Sequence, residues 1–68
     1  MDFKLAKEFI ELDNLLKASG IAGNGAQARI LIDSGGVFVN GEAEARIRRK
    51  LVAGDIVTVR DQEIRIVG

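Results

Sequence analysis

Between Met1 and Leu12 apolar positions alternate with polar ones, Phe3 with Leu5 and then Ile10 with Leu12, a spacing that predicts short extended pieces. From Asp13 the period lengthens. Leu12, Leu15 and Leu16 stand at i, i+3 and i+4, the apolar stripe of a short helix. Asp13 in its first turn and Lys17 near its end suit the helix dipole. Gly20 can take the left-handed position that closes this helix, and Ile21 supplies the apolar contact that follows such a cap.

The stretch "NGAQARILIDSGG" predicts a second helix. Asn24 is its N-cap, and Gln27, three residues on, completes a capping box. Ala28, Leu31 and Ile32 form the stripe to be buried, and Gly35 or Gly36 ends the helix. Arg29 lies off that stripe and should reach solvent, where Asp33 could pair with it. Next, "VFVNGEAEA" places Asn40-Gly41 between extended residues, a hairpin signal that pairs Val39 with Glu42 and Phe38 with Ala43. After the turn "AGD", the segments "IVTV" and "EIRIV" alternate with period two around Asp61-Gln62, a second hairpin. Two short helices ahead of a small antiparallel sheet make an α+β fold.

Composition narrows the chemistry. With 68 residues there is room for one domain, residues 1–68, and one core. The absence of cysteine and histidine removes disulfides, cysteine-based zinc sites and the commonest general base. No catalytic residues, metal or cofactor are expected, and no small-molecule substrate. No apolar run approaches the length that spans a bilayer, and Asp2 and Glu8 argue against a secretory signal. A soluble cytoplasmic monomer is the expectation. Phe3, Phe9 and Phe38 are the only aromatic residues, and in so small a domain they read as core. Binding of nucleic acid would then rest on charge and shape rather than on stacking.

The charge is unevenly placed. Formal net charge is zero, yet Arg46, Arg48, Arg49 and Lys50 put four cations into five residues. The rest of the chain holds six cations against ten acids, a net of −4. Edge strands carry cations to discourage sheet-to-sheet pairing, but four neighbours of like sign repel one another in the folded state. A phosphate backbone would relieve that repulsion and release counterions, and arginine forks suit phosphate oxygens. An acidic protein partner is the alternative, with the strip acting as an adaptor surface. The pattern "GNGAQA" also fits the glycine spacing of dinucleotide sites, but it follows a helix rather than a strand. Helix capping explains it better, with room for one phosphate at the helix start. Asp55 in "AGD" is expected to bond its own turn.

Taken together, "AR-x-x-I" in helix two, "G-x-V-x-V-N-G" and "L-x-x-G-D-x-V" resemble the alpha-L RNA-binding motif. This is the domain type named after small-subunit ribosomal protein four, and the match runs from about Ile10 to Val59. "IELDNLLK" and "R-x-R-R-K-L" are most similar to its small stand-alone bacterial members. The resemblance implies a surface made by helix two and the neighbouring hairpin that docks on structured RNA, with ribosomal RNA as the partner. By position it implies RNA contacts from Arg29, Arg46, Arg48, Arg49, Lys50 and Lys17. Asn24 and Gln27, at the helix-two start where a phosphate could sit, are further RNA-binding candidates. It gives Val37, Val39, Leu51 and Val57 a scaffold role. Many relatives begin helix two with Ser followed by Arg or Lys, where this chain has Gly23, Asn24 and Gly25. A ubiquitin-like sulfur carrier also shows "VNGE" and "GD-x-V", but it needs a flexible Gly-Gly end, and this chain ends "IVG".

Overall fold

A computed structural model describes all residues from Met1 to Gly68. The elements run β1 (Asp2–Lys4), β2 (Ile10–Glu11), α1 (Leu12–Ala18), α2 (Gly25–Asp33), β3 (Val37–Val39), β4 (Glu42–Ala43), β5 (Lys50–Leu51), β6 (Ile56–Val59) and β7 (Gln62–Val67). Five strands form one sheet in the order β1-β7-β6-β3-β4, and β2 pairs with β5 in a separate two-stranded ribbon. The α+β class stands, with one addition. β1 lies parallel to β7, Phe3 opposite Ile66, so the larger sheet is mixed rather than wholly antiparallel.

Period two along β3, β6 and β7 sends Val37, Val39, Val57, Val59, Ile64 and Ile66 to one face. There they join Leu12, Leu15 and Leu16 of α1, Ala28 and Ile32 of α2, and Leu51 in a single buried cluster. Leu31 is only half-buried and packs on the edge of this cluster, while Ile30 beside it is 66% exposed. The aromatic residues depart from expectation. Phe3 is half-buried, but Phe9 and Phe38 are exposed, because Phe38 sits on the uncovered sheet face between inward-facing Val37 and Val39.

Turn chemistry sets the register. Asn40 and Gly41 both have positive φ, +52° and +84°, so the β3–β4 hairpin closes in two residues with Phe38 opposite Ala43. Asn40 also tolerates that conformation because its side chain is used: Nδ2 donates to Asp55 Oδ1 at 3.0 Å and Oδ1 accepts from the Ile56 N–H at 2.9 Å. Asp55 Oδ2 in turn accepts from the Val52 N–H at 2.9 Å, which closes the "AGD" turn as expected. In the β6–β7 hairpin Val59 pairs with Gln62, so the turn residues are Arg60 and Asp61 rather than Asp61 and Gln62. Arg60 carries the positive φ there, +58°.

At the start of α2, Asn24 Oδ1 accepts from the Gln27 N–H at 2.9 Å, and Gln27 Oε1 reaches back to the Gly23 N–H at 2.7 Å. A Cβ on residue 23 would stand 2.9 Å from that Oε1, so the glycine leaves room for the return bond. Asn24→Ala is expected to cost about 1 kcal/mol of stability, read as a lower urea midpoint with unchanged slope. A changed slope would instead point to an altered denatured state.

Candidate nucleic-acid interface

The basic segment does not continue the β3–β4 hairpin. It leaves the sheet after Glu44, whose N–H donates to the Val37 carbonyl at 2.9 Å, and crosses to the start of α1. There the Leu12 N–H donates to the Arg49 carbonyl at 2.9 Å and the Asp13 N–H to the Ile47 carbonyl at 3.0 Å. A helix leaves its first N–H groups without partners, and α1 has no side-chain cap from Glu11. The carbonyls of the basic segment fill that role, which ties its backbone to the core through α1. Half-buried Ile47 within the run and fully buried Leu51 just after it anchor the segment to the core.

Held this way, Arg46, Arg48, Arg49 and Lys50 line one shallow depression by themselves. Their organiser is an acid. Glu44 is only 7% exposed, and its Oε2 accepts from the Arg46 N–H at 2.9 Å and from Arg46 Nε at 3.1 Å. Its Oε1 accepts from Arg46 Nη2 at 3.0 Å and Arg49 Nη1 at 2.8 Å. The Arg46 side chain, foremost, and then the Arg49 side chain and the Arg46 N–H hold the Glu44 carboxyl at about 2, well below its ordinary 4.5, against a smaller opposing effect of burial. The same bonds raise the Arg46 guanidinium.

This arrangement fixes two forks without using them up. Arg46 keeps 72% of its side chain exposed and Arg49 keeps 29%, so donors remain for an outside anion. Arg48 has no side-chain partner in the protein, and Lys50 has no ion pair. The Lys50 ammonium lies 4.8 Å from the centroid of the Phe9 ring instead. With Glu44 included, the seven residues from Glu44 to Lys50 carry four positive charges and one negative, a local charge of +3.

The remaining candidates lie elsewhere. Arg29 is exposed on α2, makes no ion pair with Asp33, and does not line the depression. Lys17 is exposed at the far end of α1 from the basic segment. Asn24 and Gln27 spend their side-chain oxygens on the helix cap described above. Val37, Val39, Leu51 and Val57 are all buried in the core, the place a scaffold role requires. Sequence reasoning missed Glu44 and Phe9. The only signal for Glu44 was its position two residues before one arginine and five before another.

Comparison with known proteins places this geometry among relatives. A family profile described as the S4 domain matches residues 3–67. The chain is 42% identical over 66 residues to the "Putative RNA-binding protein YbcJ" of Escherichia coli K12, covering 96% of this chain and 94% of that protein. Identity and coverage are the same for the "Uncharacterized protein YbcJ" of Shigella flexneri. The solution structure of YbcJ from E. coli, described as revealing an alpha-L motif involved in RNA binding, superposes with a TM-score of 0.76. That superposition covers 98% of this chain and 86% of the other at 41% identity.

Proposed function

The chain belongs to the S4 domain family, and from that premise we propose that it is a non-catalytic module that docks on structured RNA through the rim from Arg46 to Lys50. The observation that carries this reading is the depression lined by four cations and nothing else. Each cation brought onto a phosphate releases condensed counterions, a gain that needs no base-specific contact. Structured RNA fits better than a single strand because the forks of Arg46 and Arg49 are held by Glu44 before any partner arrives. A pre-set spacing of donors rewards a phosphate array of fixed shape, as in an A-form helix. Ribosomal RNA is the target class we favour, from the resemblance to the ribosomal motif, with the chain acting as a monomer in the cytoplasm.

The chemistry asks nothing of a general base or a metal. It asks for cations whose own desolvation is small, which the exposed positions of Arg46, Arg48 and Lys50 provide. If four to six phosphates are neutralised, log K for a structured RNA should fall with log salt at a slope of about −3 to −5. A titration at several salt concentrations measures this directly. A slope near zero would remove the phosphate rim as the basis of binding. Capture of an acidic protein that survives nuclease treatment would assign the same rim to a protein partner.

A further inference from the structure

We propose that the groove beside Phe9 seats one unpaired nucleobase of the bound RNA. The proposal rests on the RNA-binding reading above and adds a site to it. Phe9 is 40% exposed, although an aromatic ring in so small a chain would ordinarily be drawn into the core. It lies in a groove of about 380 Å³ with Phe3, Leu5 and Ile10 in its lining. That volume falls at the small end of the range for small-ligand sites. The rest of the lining is Ala6 and four polar residues, Lys4, Lys7, Glu11 and Asn14, so two cations outnumber the one acid. A flat apolar group flanked by negative charge is the occupant this combination fits.

Continuity with the rim points to the same occupant. β2 and β5 pair Ile10 with Leu51 and Glu11 with Lys50, so the groove adjoins the last cation of the depression. The Lys50 ammonium, 4.8 Å from the centroid of the Phe9 ring, stands where ring and rim meet. It is held there by attraction to the π-face, which is worth little at an exposed site. A phosphate arriving on the rim can draw the ammonium away and leave the ring face for the attached base. Unpaired bases in loops and bulges are splayed out and stack on aromatic side chains. Because every base has a π-face, such a seat selects for an unpaired nucleotide more than for its identity.

The test compares an RNA hairpin carrying one bulged nucleotide with the same hairpin fully paired, against the natural chain and Phe9→Leu. Leucine keeps the apolar bulk and removes the ring. Stacking implies a loss of about tenfold for the bulged hairpin, with the paired hairpin unchanged and the salt slope retained. The Phe9 ring-proton resonances should shift with both hairpins as Lys50 leaves the ring, and markedly further with the bulged one, where a base stacks on it. Equal weakening for both RNAs would make Phe9 a structural residue, and no weakening for either would leave the groove without a base. If the natural chain sediments as a dimer and Phe9→Leu as a monomer, the occupant is a second copy and the proposal is overturned. If the natural chain binds neither hairpin, the rim reading itself fails, before any substitution is considered, and the base site falls with it.

Discussion

Replacing Arg48 and Lys50 together by Glu is expected to lower affinity for structured RNA about a hundredfold while leaving the unfolding midpoint within a few degrees. Both residues are exposed and neither has an ion pair inside the protein. The Lys50 change gives up the weak contact with Phe9 and sets a carboxylate opposite Glu11 across the β2–β5 ribbon, a solvent-facing repulsion of about 0.5 kcal/mol. At physiological salt each lost phosphate contact is worth roughly fivefold in counterion release, and two lost contacts about twenty-fivefold. Two carboxylates facing the phosphates supply the rest. The salt slope should become shallower by about two. Arg49 is the wrong partner for this experiment. Its Nη1 lies 2.8 Å from Glu44, so a glutamate at residue 49 would set two carboxylates together in a poorly hydrated place. Retention of tight binding by the Arg48→Glu, Lys50→Glu variant would show that the rim is a solvated surface.

The second large effect concerns Glu44. Glu44→Gln is expected to cost about 2 kcal/mol at neutral pH, a loss that shrinks as the pH is lowered towards and through about 2. The drop from 4.5 to about 2 corresponds to at most about 3 kcal/mol, and the contact of Arg46 with water lowers the expected loss. Because the folded-state value is depressed, the stabilisation is fully present above the ordinary pKa of 4.5 and disappears as pH falls through about 2. Urea unfolding of both proteins across this range measures the gap between them. A gap that persists at low pH would trace the loss to packing around residue 44, not to its charge.

Local chemistry made much of this fold legible. Asn40-Gly41 fixed a register because both residues had to accept positive φ, and Asn24 with Gln27 marked the start of α2 because a helix end leaves donors that polar side chains satisfy. The parallel pairing of β1 with β7 was not legible, since it joins Phe3 to Ile66 across nearly the whole chain and no local spacing encodes it. The turn at Arg60-Asp61 slipped by one in the reading because alternation alone does not say which polar pair bends. Phe9 and Phe38 read as core from composition, but which side of the sheet or ribbon the helices cover is a tertiary fact. The cations of the site were visible as a cluster. Their organisation by Glu44 was not, because the segment is irregular from Glu44 to Arg49 and helix or strand periods do not apply.

The most direct measurement is a backbone and side-chain resonance map of the isotope-labelled chain titrated with a structured RNA. The largest shifts should fall on Arg46 to Lys50, with the carboxyl of Glu44 and the start of α1 following because their hydrogen bonds meet that segment. Shifts concentrated instead at Gly23 to Arg29, or on the open sheet face around Phe38, with the rim unmoved, would contradict the assignment of RNA docking to these four cations.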